Sequence, residues 1–239
     1  MATETAERRD EAGRAHAGSM LQVQIYVNKR HEELNRAILP ELGLVPEPVI
    51  EWKSPLTRDR YQEGVDGRFL EMLDLGHLRN DLKKFWPRSG PRWDGLAVLK
   101  DRATGQPVGY LLVEGKSYPA EVYGGGCKSP SGLPNRKLID NALKAMSVRL
   151  GLTANPAWHG RLYQYANRLA HVVFLQEHTN LPVWLVNLCF LDDPHRQTAR
   201  AEWETGLKAI KQEFGVESGS IPHAIDVILP ARSRAELVS

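Results

Sequence analysis

Three charged residues interrupt the most apolar part of this chain: Asp94 in "RWDGLAVLK", and Glu114 and Lys116 at the end of "GYLLVEGK". Charges at a sheet are costly to bury unless they are paired or hold a metal ion. The two segments read as a β-hairpin, Trp93–Leu99 and Val108–Lys116, joined by a turn around "DRATGQ". Facing positions of an antiparallel pair share a constant sum of residue numbers. A turn centred near Ala103–Thr104 sets that sum at 207 or 208, which places Asp94 opposite or nearly opposite Glu114. Glu114 and Lys116 leave the same face of their strand, because side chains alternate with a period of two. Gly115 between them has no side chain, so its carbonyl is accessible as a further oxygen ligand. Two facing carboxylates and a carbonyl suit a hard cation such as Mg²⁺, which keeps several waters of its own. The plainer account is a salt-bridged strand end in which Lys116 neutralises one of the carboxylates.

The neighbouring elements must hold that hairpin in place. "LQVQIYVN", Leu21–Asn28, alternates and is β-branched enough to read as a strand. A helical pattern from Lys29 to Leu39 stops at Pro40. Pro40, Pro46, Pro48 and Pro55 then imply irregular chain over 40–60, with a short strand at Val49–Trp52. Helical periodicity returns at Arg68–Leu75 and at Leu78, Leu82, Phe85 and Trp86. After the hairpin, Pro134 at a first turn and Gly151 at a C-cap bound one helix, and a second spans Ala157–Thr179. "PVWLVNLCFL" is a buried strand, "TARAEWETGLKAIKQEFG" an amphipathic helix closed by Gly215, and "HAIDVIL" a last strand. This order predicts an α/β fold, a mixed β-sheet flanked by helices. A single domain over 20–239 is expected behind a disordered tail, Met1–Ser19.

An aspartate on one strand and an acidic-x-Lys triplet on the next, here Asp94 and Glu114-Gly115-Lys116, resembles the signature of the PD-(D/E)xK superfamily of restriction-endonuclease-like nucleases. The resemblance covers roughly Arg68–Phe190 and departs at Trp93, where the family often has proline. It implies a restriction-endonuclease-like core, DNA as partner, and an Mg²⁺-dependent phosphodiester hydrolase, with Mn²⁺ as the alternative ion. A nuclease-like binding module without catalysis is the alternative function. By the same resemblance Asp94, Glu114 and the Gly115 carbonyl bind metal, which activates a water. Lys116 then orients or deprotonates that water, or stabilises charge on the phosphoryl oxygens. Many members carry a glutamine on the helix that follows, and Gln164 matches it. An amide can both accept from a water and donate to a phosphate oxygen. Many members also pair subunits to cut both strands, so a homodimer is one arrangement it allows.

On that helix Leu162, Ala166, Leu169 and Val173 are predicted to face the sheet, and Gln164, Asn167, Arg168 and His171 form a polar stripe. Capping and surface ion pairs explain Asn167 and Arg168 equally well, and His171 with His178 reads as a surface pair. Some superfamily members use a further acid from before the hairpin; Glu63, Glu71 and Asp74 are candidates, none singled out. "GGGCKS" fails the phosphate-loop spacing because Cys127 stands where the last glycine is needed. It reads instead as a loop beside the site, with Lys128, Arg136 and Lys137 as the candidates for DNA phosphate contacts.

Composition narrows the classes. The 239 residues are 42% hydrophobic and 25% charged with net charge +2, so any nucleic-acid surface must be local. Two cysteines, Cys127 and Cys189, are too few for a disulfide framework or a thiolate zinc site and fit a reducing, cytoplasmic setting. No apolar run approaches the ~18 residues of a membrane span. Most of the six tryptophans are expected in the core or a lid.

Overall fold

The computed structural model describes residues 8–216 and 219–238. The chain opens with helices α1 (Gly18–Lys29) and α2 (His31–Leu42), then strand β1 (Val49–Ser54). A two-residue strand β2 (Gly64–Val65), helix α3 (Gly67–Met72) and helix α4 (Arg79–Phe85) lead to β3 (Arg92–Trp93). The hairpin strands follow, β4 (Gly95–Lys100) and β5 (Pro107–Lys116). Then come α5 (Pro134–Leu150), α6 (Tyr163–Thr179), β6 (Val183–Leu191), α7 (Arg200–Glu213), β7 (Ala224–Pro230) and α8 (Ala235–Val238).

The main sheet has the order β1-β4-β5-β6-β7. β4 is antiparallel to both of its neighbours, β1 and β5, whereas β5, β6 and β7 run parallel, so the sheet is mixed. The fold is therefore α/β with a mixed sheet between helical layers. Alternation sorts the strand residues between two cores. Leu96, Val98, Tyr110 and Leu112 pack with α5 and α6, and Ala97, Leu99, Leu111 and Val113 pack with α1 and α2. All six tryptophans are buried.

The hairpin register is the one its turn requires. Asp101 accepts from the Ala103 and Thr104 amides, and Gly105 takes a left-handed φ of 69°, which closes the turn without a side-chain clash. The pairs run from Leu99 with Gly109 to Gly95 with Val113, and Asp94 follows just beyond the ladder, where its Oδ2 accepts the Gly115 amide.

The N-terminal region differs from the sequence expectation. Leu21–Asn28 is helical, within α1, and not a strand. Its alternating glutamines misled the pattern, because both are buried and bonded to main chain rather than facing water. Gln22 receives the Arg232 amide at 2.7 Å and donates back to the Arg232 carbonyl at 3.1 Å. Gln24 receives the Ala15 amide at 2.8 Å and donates to the Gly13 carbonyl at 3.2 Å. A helix covered on all sides has no polar stripe, so its 3.6-residue period disappears from the sequence.

The disordered tail is likewise corrected from Arg8 onward; Met1–Glu7 lie outside the described residues. Ala15 is buried, Arg9 and Ala15 form a β-bridge, and Arg9 pairs with Glu63 at 2.6 Å. Two boundaries also move. α2 carries Pro40 inside its last turn and ends at Leu42, where Gly43 adopts a φ of 63°. α6 starts at Tyr163, after a separate 3₁₀ turn at Pro156–Trp158. Among the described residues no helix is long and apolar enough to cross a membrane.

Candidate active site at the end of β5

Glu114 and Lys116 project from β5 toward α6, whereas Gly115 faces α1. A Cβ built at Gly115 would lie 2.6 Å from Val23 Cγ2, so the helix approaches too closely for any side chain here. That close approach fixes which face the two charged neighbours take. Both are buried, and Lys116 Nζ lies 2.6 Å from Glu114 Oε1.

The other Glu114 oxygen is held from α6. Arg168 Nε donates to Glu114 Oε2 at 2.7 Å, and its terminal nitrogens donate to the Asn167 side chain and the Gln164 and Arg92 carbonyls. Gln164 Nε2 stands 3.5 Å from Glu114 Oε1. α6 thus turns Gln164 and Arg168, one helical turn apart, onto the same carboxylate. Leu162, Ala166, Leu169 and Val173 lie in the core on this side of the sheet.

Asp94 occupies the bend between β3 and β4, half-buried, and its Oδ2 accepts the Gly115 amide at 2.9 Å. Gly115 therefore joins the site through its N–H.

The two carboxylates are tuned apart. Close protein surroundings and the negative Glu114 push the Asp94 carboxyl up to about 8, against the opposing pull of Lys116 and the Gly115 amide. Burial also works to raise Glu114, but the Arg168 and Lys116 cations outweigh it and hold that carboxyl below its ordinary value. Asp94 thus keeps its proton up to about pH 8 unless a cation beside it favours the ionised form.

Of the three further acids, Glu63 is the one at this site. It is buried, its charge contributes to the raised Asp94, and it is held by Arg9 at 2.6 Å and Arg92 at 3.1 Å. Glu71 and Asp74 pair at the surface with Arg79 and Lys53. No group of three or more His, Cys, Asp or Glu side chains converges in metal-binding fashion among the described residues. Asp94 and Glu114 are the carboxylates available to an ion here, and both Glu114 oxygens are already met by cations, Lys116 at 2.6 Å and Arg168 at 2.7 Å.

Two features escaped the sequence. Arg168 reads as a surface ion pair there, yet it is 6% exposed and clamps Glu114. His171 is not half of a surface pair with His178; it is 1% exposed among Phe69, Phe85, Trp86 and Trp93. The four-residue spacing of Gln164 and Arg168 was visible, but nothing local distinguishes a solvent-facing polar stripe from one facing a buried acid. A polar row also continues from Glu114 across the sheet to Asn187 and Asp226. Asn187 donates to Tyr165 Oη and Asp226, and Lys211 pairs with Asp226 at 2.8 Å.

The loop with "GGGCKS" lies against α6: the Gly124 amide donates to the Arg161 carbonyl, and a Cβ at Gly124 would lie 3.7 Å from Gln164 Cβ. Lys128 and Lys137 are exposed, while Arg136 is half-buried and paired with Asp140 at 2.8 Å. Cys189 is buried and Cys127 half-buried, both as free thiols.

Compared with known proteins, the chain matches no family model, no curated protein and no solved structure. The functional assignment rests on this geometry.

Proposed function

We propose that the protein is a divalent-metal-dependent DNA phosphodiesterase of the PD-(D/E)xK type. The observation that carries this is the convergence of Asp94, Glu114, Lys116 and Gln164 on one end of the hairpin, with the Asp94 carboxyl pushed up to about 8. Asp94 and Glu114 would hold Mg²⁺ or Mn²⁺, with the Gly115 carbonyl as a further ligand. The ion, when bound, supplies Lewis acidity toward the phosphate and a more acidic water. Lys116, released in part from Glu114, would orient the attacking water and neutralise charge developing on the phosphoryl oxygens. The Gln164 amide would position that water or a phosphate oxygen. Arg168 keeps Glu114 ionised and fixed. Lys128, Arg136 and Lys137 are the candidate phosphate contacts, and cytoplasmic location and pairing of two subunits belong to the same proposal.

A catalytically silent nucleic-acid or protein-binding module is the second reading. It is favoured by the occupation of both Glu114 oxygens by cations, at 2.6 and 2.7 Å. Plasmid, linear duplex and single-stranded DNA incubated with Mg²⁺, Mn²⁺ or EDTA separate the two. Metal-dependent cleavage that disappears in Asp94→Ala is the expected result. DNA retention without cleavage in any metal would leave the binding module.

A further inference from the structure

A cavity of about 780 Å³ opens between α3, α4, the segment 87–91 and the start of α5. Its walls combine three kinds of chemistry. Phe69 and Trp86 contribute aromatic atoms to the wall, although the two residues are only 1% and 4% exposed. Lys83 and Arg88 stand exposed at the cavity and make no ion pair with a described residue, so their charges remain available. The third element is His171, buried to 1% yet lining the cavity.

The imidazole's orientation is fixed by its other side. Nδ1 lies 2.7 Å from the Asn167 carbonyl oxygen, so Nδ1 carries the proton and Nε2 is a bare acceptor. Burial pushes this histidine down to about 4, so the ring stays neutral at physiological pH. Nε2 bonds to no described residue. It faces the Gly90 wall, where an added Cβ would lie 3.6 Å from it and 3.4 Å from Trp86 Cδ1. Asp66 secures that wall by accepting the Gly90 amide at 3.0 Å. With no side chain at Gly90, Nε2 and the Trp86 ring border the cavity, although His171 is only 1% and Trp86 4% exposed.

An aromatic wall, a buried neutral acceptor and two free cations match the parts of a nucleotide. A base offers a π-face and N–H donors on its edge, and its phosphate offers negative charge. We propose that this cavity is a nucleotide-binding site, with the base against Trp86 and His171 and the phosphate on Lys83 and Arg88. Trp93 links it to the candidate active site: its ring lies 6.2 Å from that of His171, and Arg168 Cζ, whose guanidinium holds Glu114, lies 5.7 Å from it. The nucleotide can therefore come from a free mononucleotide or from one turned out of a bound strand. The inference goes beyond the cleavage proposal, and binding is measured without metal, so the two fail separately.

The test titrates the full chain in EDTA with dAMP, dGMP, dCMP and dTMP, and with inorganic phosphate, following tryptophan fluorescence and heat. A duplex containing 2-aminopurine, whose emission rises on unstacking, forms the second arm. At least one mononucleotide is expected to bind more tightly than phosphate. Lys83→Ala/Arg88→Ala should weaken it about tenfold, as for loss of charged hydrogen bonds. Gly90→Ala, whose methyl meets only ordinary contacts, should weaken it about tenfold by filling the cavity. A 2-aminopurine rise in the native chain that both variants lose assigns the site to a strand; mononucleotide binding without that rise assigns it to free nucleotide. Neither signal at millimolar ligand, phosphate binding as well as every mononucleotide, or binding unchanged in both variants would overturn the proposal.

Discussion

On the α6 face of β5, Glu114 and Lys116 sit in a buried charge cluster with Arg168 and Gln164; on the α1 face, Gly115 lies against Val23 with no room for a methyl group. Consecutive residues of one strand thus meet opposite environments. The dry face gains from close packing, with Val23 and Phe190 against the strand. The charged face is stable only while each ion keeps its partners, since breaking a buried pair leaves an uncompensated charge. The contrast shows how the fold can hold reactive groups rigidly: the apolar side fixes the strand, and the strand fixes the charges.

The largest effect should come from emptying the charged face. Asp94→Ala and Glu114→Ala are each expected to reduce metal-dependent DNA cleavage to background, and wild-type rates in either would remove the site assignment. Lys116→Ala should retain metal binding by calorimetry while turnover falls about 10²–10³-fold, as for other groups that act on developing charge. Loss of metal binding as well would make Lys116 a structural partner of Glu114.

Stability separates the two acids and the two faces. Glu114→Gln leaves Arg168 and Lys116 buried without their anion and should cost about 3–5 kcal/mol in urea unfolding. Gly115→Ala, on the dry face, forces Val23 or α1 to move and should cost about 1–3 kcal/mol. Equal, small effects from both would mean that the two environments do not differ as described.

The last test is a pH dependence in the metal-free protein. Asp94 has a folded-state pKa of about 8, above its unfolded value, so the folded chain binds the extra proton between about pH 4 and 8. This group's contribution is present at the acid end and lost as pH rises toward 8. Asp94→Asn should flatten that slope and raise the melting temperature at pH 8. A mutant whose slope matches the native protein would place the titration elsewhere.

Much of this site is determined by sequence alone. The turn at Asp101–Gln106 and the two-residue period of the strands set the register that brings Asp94 beside Glu114 and Gly115 and sends Glu114 and Lys116 to one face. Pro134 and Gly151 bound α5 for equally local reasons: a missing N–H is harmless at a first turn, and a left-handed φ of 64° suits glycine. Only the tertiary structure decided the rest. α1 can bury Gln22 and Gln24 because Gln22 bonds to the Arg232 main chain, 210 residues away, and Gln24 to the main chain of Gly13 and Ala15. Arg168 and His171 became interior residues because α6 is covered on nearly every side, and Glu63 joined the site because Arg9 folds back to meet it. Local pattern reports the periodicity of a chain with one wet face. Where water is excluded all round, the polar residues are matched to distant partners, and no neighbouring residue records which partner that will be.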